Sequence, residues 1–256
     1  MNDLSPGLSD HLPDGLPDWL VPVVDGARSI SGHDLTAFLP PKGRPVRRGA
    51  VLMLFGDHDV LLTERAHDMR SHPGQVSFPG GSIDPGETPV EAALREAEEE
   101  IGVDPAGVEV IGTLPELWLP PSNFAVTPVL GWWRDPGPIR VASPDEVHAI
   151  HRVTLEELFA AEHRVQVRHP GGWNGPGFLI GPDKDVILWG FTGGILTRFF
   201  DFLGWLPPVE DPPVHDLPDY MLAEYVQRTA RTDRQAGDDG MDLLEPNEAA
   251  ASGRDA

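Results

Sequence analysis

The sequence predicts an α/β domain, one sheet with helices packed on it, over residues 28–206. Three observations point there. Strand-like and helix-like segments alternate from residue 50 to residue 203. Residues 89–101 carry helix boundary signals at both ends. No apolar run approaches the ~18–20 residues of a membrane span, so the apolar segments belong to a core.

The elements follow in order. Residues 1–27, with five Asp, four Pro and three Gly, read as a flexible acidic arm. Residues 50–55 and 60–63 are apolar runs separated by "GDHD", the pattern of a hairpin. A helix over 89–101 is followed by strands over 108–114 and 124–133, and Pro128 inside the second suggests an edge or a bulge. A strand over 147–153 leads into a helix over 155–161, where Thr154 and Glu157 offer a capping box. Short strands over 165–168, 178–180 and 186–189 precede a helix over 194–203. From residue 207, five prolines (Pro207, Pro208, Pro212, Pro213 and Pro218) in an acidic stretch predict an extended tail. A short amphipathic helix is expected near 220–230, with disorder beyond it.

Composition narrows the function. The chain of 256 residues carries a net charge of −22, of which the two ends hold −13 and residues 28–206 only −9. A net-negative surface argues against nucleic-acid wrapping and against anionic membranes. With no Cys, disulfides, thiol catalysis and zinc–thiolate sites are excluded. The acidic N-terminus lacks the basic start of a signal peptide, so the expectation is a soluble cytoplasmic protein. Oligomeric state stays open, a homodimer being one option.

The most informative stretch is "GGSIDPGETPVEAALREAEEEIGV", residues 80–103. Thr88 is an N-cap, Pro89 sits at the first helical position, Glu91 completes a capping box and Gly102 supplies the stop. With Glu96 at zero on the helical wheel, Glu99 falls at about −60° and Glu100 at about +40°. Val90, Ala93, Leu94, Ala97 and Ile101 fill the neighbouring arc and form the predicted buried stripe. Three carboxylates on one face repel by about 0.2–0.5 kcal/mol per pair, and a hard divalent cation relieves this. A Glu-rich solvated helix is the plain alternative. Gly80, Gly81 and Gly86 upstream favour the first reading, because they let backbone approach both a metal and a phosphate.

Gly81, Glu87, Arg95, Glu96, Glu99, Glu100, Gly102 and Val103 together resemble the Nudix box, G-x5-E-x7-R-E-U-x-E-E-x-G-U, with U a bulky aliphatic residue. Ala97 departs from it, being small at a U position. The resemblance implies an α/β/α sandwich around a central mixed sheet, as a single domain, and hydrolysis of a nucleoside diphosphate linked to another group. It implies that Glu96, Glu99 and Glu100 are catalytic and bind Mg²⁺ or Mn²⁺, with the Gly80 carbonyl as a further ligand. Glu87 and Arg95 would form the supporting ion pair. Which glutamate acts as the base stays open.

Upstream, "LLTERAHDMRSHPGQVSFPGG" (residues 61–81) resembles the motif LLTxR(S/A)xxxRxxxGxVxFPGG of the coenzyme A diphosphatase branch. "FAVTPVLG" and "ILWGFTGGIL" also resemble that branch. The implied substrate is coenzyme A or a thioester of it, with Arg65, Arg70, Gly80 and Gly81 binding the phosphates. The implied products are adenosine 3′,5′-bisphosphate and 4′-phosphopantetheine or its acylated form. Other diphosphates, such as ADP-ribose or a dinucleoside polyphosphate, and a non-hydrolysing nucleotide sensor remain alternatives. Lys42, Arg44, Arg47 and Arg48 read as a solvated entry segment. His67 and His72 read as surface or locally hydrogen-bonded groups. Trp132 and Trp133 include a core residue, with stacking on a base as the alternative; Glu116 and Glu146 read first as exposed loop acids, and of the two Glu146 is favoured to add a carboxylate to the site.

Overall fold

The computed structural model describes residues 12–41, 43–69, 71–169 and 171–222. The strands are β1 (Arg47–Phe55), β2 (Asp59–Arg65), β3 (Val76–Ser77), β4 (Gly80–Ser82), β5 (Val108–Thr113), β6 (Leu117–Leu119), β7 (Phe124–Trp133), β8 (Val147–Thr154), β9 (Arg164–Arg168), β10 (Asn174–Ile180), β11 (Val186–Leu188) and β12 (Val214–Asp216). The helices are α1 (Val21–Ser29), α2 (Gly32–Leu35), α3 (Pro89–Ile101), α4 (Leu155–Phe159) and α5 (Gly190–Phe202).

Among the described residues the strands form two sheets. The larger has eight strands along the path β3-β2-β1-β7-β5, with β4 on β1, β6 on β7 and β8 on β2. It is mixed, because β1 and β7 run parallel over nine register pairs while the other pairs are antiparallel. The smaller sheet has the order β11-β10-β9-β12. The sequence suggests one sheet. The second exists because β9 and β10 pair as a hairpin, and its apolar Phe178, Ile180 and Leu188 pack onto the large sheet.

Each face of the large sheet buries its own core, as two-sided coverage of a sheet requires. On one face Ala50, Leu52, Leu54 and Leu61 meet Ala92, Ala93, Ala97 and Ile101 of α3. On the other, Met53, Phe55, Val60 and Leu62 meet α1, α5 and the second sheet. The alternation along β1 and β2 assigns successive residues to opposite faces.

Two expectations about the ends need correction. Residues 18–29 are helical, not a flexible arm, and Leu20, Val23 and Val24 are buried in the core with Ala27 packed against it. The spacing 20, 23, 24, 27 is a helix stripe. Pro22 read as a breaker, yet it stands in the first turn, where a proline costs no hydrogen bond. The Pro-rich tail also joins the fold as far as it is described. β12 pairs in parallel with β9, and Leu217 and Met221 cover Val165 and Val167. Residues 219–222 are helical. The remainder of the predicted tail helix, the expected disorder beyond it, and residues 1–11 of the arm lie outside the described residues.

Pro128 is not at a sheet edge. It lies inside β7 opposite Val51, and its carbonyl accepts from Leu114 N at 2.8 Å. Its ring faces the break where β5 leaves β7 and β6 has not yet joined, so no ladder donor is missed. No helix among the described residues is long and apolar enough to cross a membrane.

Candidate active site

The carboxylates stand on α3, whose ends are fixed by local chemistry. Thr88 Oγ1 accepts from Glu91 N, and the Glu91 carboxylate accepts from Thr88 N at 2.8 Å. Both halves of the capping box are thus made. Gly102 closes the helix at φ 71°, a left-handed position suited to glycine. Its Cα trace begins and ends at the residues that the spacing predicts.

Two glycines bring backbone against this helix. β4 pairs with β1 through Val51↔Gly80 and Ala50↔Gly81, and α3 packs on both strands. Gly80 has φ 153°, and a Cβ on it would come within 2.4 Å of the Ala50 carbonyl oxygen. A Cβ on Gly81 would come within 2.4 Å of the Glu96 carboxylate. A side chain is therefore barred at Gly80 by backbone, whereas at Gly81 it would displace the Glu96 carboxylate.

This packing changes the predicted helix wheel. Ala92, absent from the predicted stripe, is fully buried, while Val90 and Leu94 are only partly buried. Ala92, Glu96 and Glu100 form an i, i+4, i+8 row, and this row lies beneath the glycine strand. Glu100 is therefore buried, with its carboxylate accepting from Gly80 N at 3.2 Å.

Electrostatics follow from that burial. Burial pushes the Glu100 carboxyl up to about 8; the Gly80 N–H and the Arg65 charge oppose this, and Glu96 and Glu146 add to it. Burial likewise raises Glu96, against its contact with Arg95, and Glu99 and Glu146 raise it further. Arg95 braces the set. Its guanidinium donates to Glu87 at 2.8 and 3.1 Å, to Glu96 at 3.0 Å, to Glu99 at 3.2 Å and to the Ser82 carbonyl at 3.0 Å. The Arg95 contact holds Glu87 below the ordinary carboxylate range.

The structure thus brings Glu96, Glu100, Gly80 and Gly81 together directly, and Glu87 and Glu99 through Arg95. Arg65, at the end of β2, is close enough for its charge to act on Glu100. Glu146 joins from the start of β8, where Ala66 N donates to its carbonyl at 2.9 Å. Ala142 N in the same loop donates to the Glu100 carbonyl at 2.9 Å. Glu116 points elsewhere, pairing with Arg48 at 2.9 Å. Arg47 lies over the Phe124 ring. Trp133 is buried and Trp132 packs on the core, which leaves neither free to stack on a base. Arg70 and Lys42 lie outside the described residues.

The oxygen-only donor set of Glu96, Glu99, Glu100 and the Gly80 carbonyl fits a hard divalent cation. Three neighbouring carboxylates, of which buried Glu100 has only the Gly80 N–H as a hydrogen-bond donor among the described residues, are an arrangement that such an ion would relieve. Sequence reasoning missed Glu64, a buried carboxylate in β2 contacted by His67 and His151. Its signal is an acid placed within the apolar run of a strand.

A model of the NUDIX domain matches residues 44–171, half of the 256 residues. Nudix hydrolase 15, mitochondrial, of Arabidopsis thaliana is 37% identical over 175 residues, 62% of this chain and 59% of that protein. Nudix hydrolase 3 of Caenorhabditis elegans is 45% identical over 105 residues, 40% of this chain and 44% of that protein. The chain thus spans about half the length of these two relatives. An uncharacterized Nudix hydrolase NudL of Pectobacterium atrosepticum is 43% identical over 174 residues, which cover 86% of its length.

Proposed function

Because the chain belongs to the Nudix family, we propose that it is a metal-dependent diphosphatase acting on coenzyme A or its thioesters. The products would be adenosine 3′,5′-bisphosphate and 4′-phosphopantetheine or its acylated form. Glu96, Glu99, Glu100 and the Gly80 carbonyl would hold Mg²⁺ or Mn²⁺. When bound, the ion neutralises diphosphate charge and lowers the pKa of a coordinated water.

The chain's own residues divide the remaining work. Arg95 holds Glu96 and Glu99 in fixed rotamers, so the ligands need little reorganisation. Glu146, whose charge acts on both Glu96 and Glu100, is a further carboxylate within reach of a proton in this cleft. Arg65 and Arg70 would bind phosphate oxygens, for which a guanidinium is suited. The Arg65 Nε is buried with no hydrogen-bond partner among the described residues, which leaves a donor in reserve.

The observation that supports the substrate reading is the nearness of Arg65 to Glu100, close enough for its charge to act there. The motif that resembles the coenzyme A branch thus adjoins the carboxylate helix. The test compares kcat/KM for coenzyme A, dephospho-coenzyme A and ADP-ribose with Mg²⁺ present. Coenzyme A should be preferred. Preference for ADP-ribose would overturn the substrate and leave the hydrolase standing; no turnover of any diphosphate would overturn both.

A further inference from the structure

A second group of metal-ligating side chains lies on the other face of the large sheet. Among the described residues, Glu64, His67 and His148 offer ligand atoms that all lie within 4.8 Å of one another. Along β2, Leu62 and Glu64 face the core that holds α1 and α5, whereas Leu61 faces α3. Arg65, next in the strand, turns toward Glu100 on the α3 face. The group is therefore separated by the sheet from Glu96, Glu99 and Glu100.

We propose that Glu64, His67 and His148 form a binding site for a borderline divalent cation of the Zn²⁺ class. The donor set, two imidazoles and one carboxylate, is one that zinc uses when it keeps a fourth position open. Mg²⁺, which requires oxygen ligands, does not suit it. The proposal is independent of the substrate reading above.

Three features show a site built for this. First, β8 carries a bulge here: Val147 stands opposite Arg65 and Ala149 opposite Glu64, so His148 is the extra residue between them. A bulge re-aims the side chain it adds, and this one sets the His148 ring 4.4 Å from the His67 ring. Second, Glu64 is buried and anchored from behind, its Oε2 lying 3.0 Å from His151 Nε2 while Oε1 faces His67 Nε2 at 2.6 Å. A hydrogen-bonded partner that orients a ligating group is the usual support of a metal site. Third, Tyr220 stacks on His67 at 4.7 Å and limits its swing.

The fit requires little motion. Tetrahedral zinc with bonds of about 2.0–2.1 Å sets its ligand atoms about 3.3 Å apart. Glu64 and His67 already approach more closely than that, so the main adjustment is a turn of the exposed His148 ring. The ion would clamp the beginning of the β2–β3 connection to β8.

The test uses the full chain carrying Glu99→Gln, which weakens zinc uptake at the carboxylate helix, and adds His148→Gln or His67→Gln. Zn²⁺ alone is titrated into metal-free protein by calorimetry, and Co²⁺ alone is followed by its visible spectrum. One Zn²⁺ per chain should bind in the parent, with the intense bands of low-coordinate nitrogen-ligated cobalt. Each histidine variant should bind at least about a hundredfold more weakly, since even loss of an outer partner costs ten- to a hundredfold. The metal-free melting temperature of His148→Gln should match the parent, because that ring is exposed, whereas His67→Gln also loses the contact with Glu64. Equal Zn²⁺ affinity in parent and both variants would overturn the proposal, as would cobalt bands that survive both substitutions.

Discussion

Gly81→Ala separates the chemistry of the site from its folding. The new Cβ would stand 2.4 Å from both Cδ and Oε1 of Glu96 and 2.6 Å from Oε2. Ordinary contact begins near 3.4 Å, so the carboxylate must retreat by about 1 Å. The obstacle is the far end of a flexible side chain, and Gly81 carries no left-handed φ, so the fold can absorb the change. The function cannot, because a ligand displaced by about 1 Å can cost on the order of a hundredfold in rate. Gly80→Ala is the contrast. Its Cβ meets the Ala50 carbonyl and Val51 Cα at 2.4 and 2.6 Å, backbone that cannot swing away, at φ 153°. Steady-state hydrolysis with saturating Mg²⁺, alongside thermal melts, reads both variants. Gly81→Ala should melt near wild type with kcat about a hundredfold down, and Gly80→Ala should melt well below it. Wild-type turnover in folded Gly81→Ala would refute the close approach of Glu96 to β4 as a catalytic requirement.

The other predictions follow from burial and charge. With a folded pKa near 8 against 4.5 unfolded, Glu100 adds stability that is full below pH 4.5 and is lost as pH rises through 8. Metal-free wild type should therefore lose on the order of a few kcal/mol more than Glu100→Gln across that window, measured by denaturant melts; parallel pH curves would contradict it. Excess EDTA should abolish turnover and Mg²⁺ or Mn²⁺ restore it, and full activity in chelator would remove the metal from the mechanism. Arg65→Ala should lower kcat/KM for coenzyme A roughly ten- to a hundredfold, mostly through KM, as loss of one charge-assisted contact does; a matching fall in melting temperature with uniform loss on every diphosphate would make Arg65 a brace instead. Leu20→Ala, at a fully buried position of the first helical turn, should cost about 2–5 kcal/mol in a urea melt, and a cost near zero would detach that segment from the core.

What the sequence reveals here is what depends on near neighbours along the chain. The limits of α3 coincide with prediction because Thr88, Glu91 and Gly102 act within one turn of the ends they define. The bounds of β7 coincide as well, its apolar run being long and closed by Asn123 and Arg134. The helix α5 begins four residues before its predicted start, its first turns carrying Gly190 and Gly193, where tight packing sets Gly193 near the Leu188 carbonyl. Thr154 caps α4 as expected, but the Glu157 side chain goes to Lys184 and leaves the reciprocal half of the box unmade. For α1 and β12 the prolines dominated the reading although their positions, a first turn and a strand start, are ones that proline tolerates.

The site divides along the same line. The glutamates of α3 and their brace Arg95 can be read from spacing because i, i+3 and i+4 neighbours must meet on any helix. That Glu100 is buried cannot be read so, since it takes the packing of the helix against the two-glycine strand beside β1 to bury it. The approach of Glu146 depends on a loop tied to the end of α3 by Ala142 N, a contact made across forty residues of chain. Glu64 and His148 are more distant still, and their meeting requires one extra residue in β8. With regular pairing in place of the bulge, His148 would stand opposite Arg65 and face α3 with Val147 displaced, so the histidine pair would not form. Register, which no single-strand pattern encodes, is thus what turns two ordinary surface histidines into neighbours of a buried carboxylate.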